Sequence, residues 1–171
     1  MPLTKEIVNR VQNSGLVTLE MKSFYGDQER VLLDIKHWLY EGLILKEKPF
    51  REHLKNHDWS IYKNKFVGVY CSEDTIIPIW AFMLISTYLN PYTTHVYLAN
   101  KKELEKHIFQ INIQQLKIED YSNKKVLIKG CSETYIPESS YIEISKKLIN
   151  EVQSLMFGEA CSNVPLFKKK K

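Results

Sequence analysis

The stretch Phe66-Val67-Gly68-Val69-Tyr70-Cys71-Ser72-Glu73-Asp74-Thr75-Ile76-Ile77-Pro78 decides the fold. A short apolar run stops at a polar Cys-Ser loop and gives way to a Pro-initiated apolar segment, which reads as strand, loop and helix. The helix is expected from about Ile77 to Leu89, where Asn90-Pro91 breaks it. Downstream the order repeats. His95-Val96-Tyr97-Leu98-Ala99 is a second strand, and Lys101 to Gln115 places Leu104, Ile108 and Ile111 at helical spacing. Val126-Leu127-Ile128 is a third strand ending at Gly130-Cys131, and Tyr141 to Val152 is again helical. This alternation predicts an α/β fold of three layers, with a short, mainly parallel sheet covered on both faces. Right-handed crossovers put the strand at 66–70 in the centre, the one at 95–99 on one side and the one at 126–128 on the other. The expected order is therefore 2-1-3, with room for a last strand at Leu155-Met156-Phe157.

Residues 1–62 read as an α+β extension packed on the α/β domain of 63–171, the two forming one compact unit. Thr4 to Asn13 carries Ile7, Val8 and Val11 on one helical face, closed by Ser14-Gly15. Leu16 to Met21 alternates with strand period, Gly26-Asp27 marks a turn and Arg30 to Ile35 is a second strand, together predicting an antiparallel hairpin. Pro49 suits the first turn of a helix running to about His57.

The chain has 171 residues, 44% of them hydrophobic and 26% charged, as expected of a folded protein. Four of the positive charges in its net +4 are the terminal run Lys168 to Lys171, so the body is near neutral. A nucleic-acid partner would call for a basic stripe, which is absent. Ile76 to Leu89, at 14 residues, is too short to span a bilayer and reads as a buried helix. The start of the chain lacks the pattern of a signal peptide, and three cysteines cannot all pair. A cytoplasmic protein is expected, with neither nucleic acid nor membrane as partner.

Cys71, Cys131 and Cys161 are each followed by Ser and, a few residues on, by an aliphatic residue and Pro. Cys71 and Cys131 fall where strands end and helices begin, the place where open α/β sheets bind ligands. Three thiolates meeting there would suit zinc, or an iron–sulfur cluster with one iron left open. Ser72, Ser132 and Ser162 would then hydrogen-bond the sulfurs, and two helix N-termini would face an anionic cluster. His57 is the candidate fourth ligand, with Glu159 as runner-up, while His53 and His107 fall on polar helix faces. Two alternatives stand beside the metal: a crevice cysteine acting as nucleophile on a small substrate, with Glu73, Asp74 or Glu133 as acid or base, and thiols that merely pack. A phosphatase-type cysteine is excluded, because the positions that would need Arg are Ile77 and Pro137. Gly-x-Ser-x-Gly, GxGxxG and P-loop motifs are also missing.

Ile7-Val8-Asn9-Arg10-Val11 with Ser14-Gly15-Leu16, Glu41-Gly42-Leu43-Ile44-Leu45, His57-Asp58-Trp59, the Cys-Ser phrases, Met156-Phe157-Gly158-Glu159 and Val164-Pro165-Leu166 resemble a bacterial domain family of unknown function numbered 2480. The resemblance covers the whole chain, so it implies that the N-terminal extension belongs to the same module. It further implies an accessory role beside iron–sulfur assembly proteins, and it supplies no list of catalytic residues.

Overall fold

A computed structural model describes residues 15–130 and 133–170. The expected helix at Thr4 to Asn13 lies outside the described residues, as do Cys131 and Ser132. The strands are β1 (Leu16–Glu20), β2 (Arg30–Asp34), β3 (Phe66–Tyr70), β4 (Val96–Leu98), β5 (Lys125–Lys129), β6 (Ser154–Glu159) and β7 (Ser162–Lys168). The α-helices are α1 (Glu47–Asn56), α2 (Ile79–Leu89), α3 (Lys101–Gln114) and α4 (Glu138–Leu148). The class is α/β, and two sheets are present among the described residues.

The chain divides into two compact units. One is Asp27–Ile108, and the other joins the chain up to Gly26 with Phe109–Lys171. In the Asp27–Ile108 unit the order is β2-β3-β4, all parallel. Its central strand β3 is apolar throughout because a parallel strand with elements on both faces has no side turned to water. Gly68 is required there: a Cβ would sit 2.6 Å from the Ala99 carbonyl oxygen and 2.9 Å from Leu32. On one face α1 and α2 contribute Phe50, Leu54, Ala81, Ile85 and Leu89 to a core with Val67 and Val69. Toward the other face, Arg30 of β2 makes a two-pronged pair with Glu105 of α3, at 3.0 and 3.2 Å. Asn100 starts α3 by accepting from the Lys102 and Glu103 amides, while the Glu103 carboxylate accepts from the Asn100 amide, which is a capping box.

In the other unit the order is β1-β5-β6-β7, with only β7 antiparallel. Leu19, Met21, Phe109, Ile113, Ile144 and Leu148 belong to its core. Strand β7 was not expected from the sequence. It begins at the third Cys-Ser phrase and tolerates Pro165 because it is paired on one side only.

The two units follow one plan. Arg30 stands opposite Phe66 as Leu16 stands opposite Lys125, and Val67 opposite Val96 as Val126 opposite Leu155. From α1 onward the correspondence is a constant shift of 59 residues, from Phe50 to Phe109, Leu54 to Ile113, Pro78 to Pro137 and Leu89 to Leu148. Helices α2 and α4 are both 11 residues long. The first strands match at a shift of 14, Val31-Leu32-Leu33-Asp34-Ile35-Lys36 against Val17-Thr18-Leu19-Glu20-Met21-Lys22. The chain is an internal repeat in which the whole second copy sits between β1 and the rest of the first.

This plan corrects two expectations. The hairpin of β1 and β2 does not form, because each is the first edge strand of its own parallel sheet. The order 2-1-3 is replaced: β3 has β4 on one side and β2 on the other, and β5 belongs to the second sheet. A rule of nearest strands in sequence misplaces β5, since an early strand already fills that edge. The two compact units part at 26/27 and 108/109. No described helix is long and apolar enough to cross a membrane.

Candidate functional site

The loop after β3 begins with Cys71, half-buried at the edge of the core. The Ser72 amide donates to Asp34 Oδ1 at 3.1 Å, and the Lys36 amide donates to the same oxygen at 3.1 Å. Burial pushes the Asp34 carboxyl up, but bonds from the Ser72 hydroxyl and from both amides outweigh it and hold the group below its ordinary value. These bonds of Ser72 serve a carboxylate. Farther along, Thr75 Oγ1 donates to the Leu43 carbonyl at 2.6 Å, tying this loop to residues 40–44.

Cys161 is exposed in the turn between β6 and β7, and Ser162 opens β7 opposite Glu159. Glu159 itself pairs with Lys129 at 3.5 Å. His57 Nε2 lies 2.9 Å from the Tyr62 hydroxyl, and the ring meets Trp38 and Trp59 edge-on at 5.2 and 4.7 Å between centroids. Burial lowers the pKa of this imidazole, against the pull of Asp58. His53 is exposed against Trp38, whereas His107 is half-buried and stacked on Tyr97. Glu73, Asp74 and Glu133 are exposed. Among the described residues no three His, Cys, Asp or Glu side chains come together as metal ligands.

A different feature stands out in the Asp27–Ile108 unit. Helix α2 was expected to be buried, and one face is: Ala81, Ile85 and Leu89 are sealed. On its outer face Ile79 is 65% and Met83 63% exposed, one turn apart. Ile76, just before the helix, is 92% exposed, and Leu43 beside its loop is 67% exposed. The backbone at 40–44 explains why Leu43 points outward. Glu41 and Gly42 both have positive φ (52° and 70°), the Leu43 amide donates to the Tyr40 carbonyl at 3.1 Å, and Tyr40 and Ile44 bridge. This tight reversal has Glu41 and Gly42 at its tip and leaves Leu43 and Ile44 exposed just after it. A groove of about 540 Å³ runs along α2, lined by Trp80, Met83, Leu84 and Thr87 and, from α1, by Glu47 and Arg51.

The repeat supplies its own reference for this face. Ile79, Trp80, Met83, Leu84 and Thr87 of α2 match Glu138, Ser139, Ile142, Glu143 and Lys146 of α4. One copy of the same helix, after the same proline, presents an ordinary polar surface with Ile142 as its apolar member. The fold therefore does not require an apolar exterior here. Sequence reasoning missed this face, although α2 carries no charged residue in 11 positions.

No curated protein and no solved structure matches the chain. A family model described as "Protein of unknown function (DUF2480)" matches residues 5–169. With that match running over almost its full length, the chain belongs to this domain family of unknown function.

Proposed function

We propose that the chain is a protein-binding module, acting in the cytoplasm, whose docking surface is the outer face of α2 with the adjoining exposed residues Leu43, Ile44 and Ile76. The contrast between α2 and α4 carries this reading: Ile79, Trp80 and Leu84 of α2 stand where α4 has Glu138, Ser139 and Glu143, so the isolated apolar Ile142 of one copy becomes a continuous apolar face around Met83 in the other. Exposed apolar patches of this kind mark binding surfaces. The occupant it suits is an uncharged, apolar helical surface of a protein, since α2 offers nothing to pair a buried charge. A tagged chain, its Met83→Glu variant and its Ile142→Glu variant are compared for the proteins each retains from an extract of the source organism. Proteins kept by the parent and Ile142→Glu but lost by Met83→Glu support the reading. Identical retention by all three overturns it.

A second reading keeps the thiols: Cys71, Cys131 and Cys161 hold zinc or an iron–sulfur cluster, and the chain assists iron–sulfur assembly proteins. Cys71 directly past the carboxyl end of β3, and Cys131 two positions after Lys129 in the sequence though one out of step with the 59-residue shift, favour it. His57 joins this reading only by giving up Tyr62. Anaerobic purification followed by iron, zinc and sulfide analysis decides it. Stoichiometric metal that is lost alike in Cys71→Ser, Cys131→Ser and Cys161→Ser supports a shared site, and a metal-free chain removes it.

A further inference from the structure

We infer that the occupant of the α2 face is a second copy of this chain, packed face to face about a two-fold axis; this rests on the reading of that face as a docking surface. A two-fold contact places the same patch against itself, so the patch must be complementary to itself. The α2 face meets that condition in its interior and at its rim.

In the interior, α2 has no charged residue, so two copies can meet without stranding a charge. Its two aliphatic hydroxyls are already satisfied within the helix: Ser86 Oγ donates to the Met83 carbonyl and Thr87 Oγ1 to the Leu84 carbonyl, both at 2.7 Å. Covering these hydroxyls leaves no donor without an acceptor. Ile79, Met83 and Ser86 follow one another at i, i+4 and i+7, a stripe suited to packing along another helix.

At the rim, Glu47 and Arg51 of α1 line the groove and pair with each other at 2.9 Å on the exposed side. They are opposite charges one turn apart. A two-fold operation that brings Glu47 toward Arg51 of the second copy necessarily brings Arg51 toward that copy's Glu47. The rim thus provides two reciprocal ion pairs around an apolar centre, the arrangement expected of a homodimer contact.

The test is sedimentation velocity of the full chain over about a hundredfold range of concentration. The parent and Ile142→Glu are expected to move from one chain mass toward two, and Met83→Glu to remain at one with an unchanged circular dichroism spectrum. Glu47→Arg and Arg51→Glu should each weaken self-association at least threefold, by setting like charges against each other. Mixing the two variants should restore association, because every rim position of one chain is then positive and every rim position of the other negative. A parent that stays at one chain mass throughout overturns the inference, and so does association unaffected by Met83→Glu. A monomeric parent that still loses a retained protein on Met83→Glu sinks the second copy as occupant while the docking surface stands; loss of both effects sinks both.

Discussion

The Ser72 amide and the Asp34 carboxylate, 38 residues apart in sequence, meet at 3.1 Å and fasten the loop after β3 to the end of β2. Ser72 was expected to serve a cysteine sulfur, yet these bonds go to the end of the neighbouring strand. The other unit places Glu20 at the matching position, paired instead with Lys22 at 3.0 Å. The strand-end acid recurs while its partner changes, which assigns Asp34 the task of holding its own loop in place.

Asp34→Asn should lower stability by about 1 kcal/mol at pH 7, since it weakens charge-assisted bonds at a partly exposed site. Because the folded-state pKa of Asp34 is depressed, its contribution is present above the unfolded carboxylate value and is lost as pH falls through the folded one. The difference between parent and variant should therefore close below about pH 4. Urea denaturation at several pH values measures it, and a gap that persists in acid would remove Asp34 from this role.

His57 gives the opposite kind of group the same sign. Burial depresses its folded pKa, so it is held neutral, whereas the unfolded chain takes up a proton near pH 6.5. Unfolded chains then bind more protons in the window between the lower folded value and about 6.5, and stability falls as pH drops through it. His57→Gln keeps a polar partner for Tyr62 and does not titrate. Its melting temperature should decline less than the parent's between about pH 7.5 and 5.5. Parallel decline of the two proteins would mean that His57 is as protonated folded as unfolded.

How far the sequence carried depended on which signals were local. Helices α2, α3 and α4 follow from apolar spacing and from Pro78, Asn100 and Pro137, all of which act within a turn or two. The class follows as well, because β3 and β5 are apolar on both faces as parallel strands must be. Sheet membership is not local. Leu16–Glu20 and Arg30–Asp34 are short strand-like stretches, and nothing in them says that their partners lie at Lys125 and Phe66. The 14-residue and 59-residue shifts were present in the sequence but muted, since a repeated core tolerates Phe24 for Trp38 or Ile113 for Leu54. The three Cys-Ser phrases were read as equals. Cys71-Ser72 follows β3, Cys161-Ser162 leads through a turn into β7, and Cys131 and Ser132 lie outside the described residues. An uncharged α2 signalled burial, because periodicity cannot distinguish a core from a docking face.

Gly68 and Gly130 both stand close to packed atoms, and their substitution separates backbone crowding from side-chain crowding. At Gly68 the nearest atom is a main-chain oxygen, 2.6 Å from where a Cβ would sit, inside a three-stranded sheet that cannot part locally. At Gly130 the neighbours are the Tyr141 hydroxyl and the Phe157 ring, at 2.7 and 3.0 Å, which are ends of side chains. Gly68→Ala should cost about 1–3 kcal/mol, in line with overpacking of a core. Gly130→Ala should cost distinctly less, through displacement of Tyr141. Denaturant midpoints compare them directly, and equal costs would contradict the crowding as described.

Asn64 and Asn123 test whether the two copies of the plan also behave alike. Both adopt left-handed backbone, with φ of 59° and 55°, one residue before the lysine that leads into the central strand region. Each amide closes the same link, to the Tyr92 carbonyl at 3.1 Å and to the Glu151 carbonyl at 2.8 Å. Asn tolerates this conformation and Ala does not, because its Cβ crowds the following carbonyl. Asn64→Ala and Asn123→Ala should each cost about 1 kcal/mol. The corresponding Gly variants should stay within about 0.5 kcal/mol of the parent, since glycine takes positive φ freely at some cost in unfolded-state entropy. Hydrogen exchange resolves which unit each change loosens. The Asn64 variants should raise exchange within 27–108 and the Asn123 variants in the other unit, whereas an effect of both on one unit alone would show that the repeat is not carried into stability.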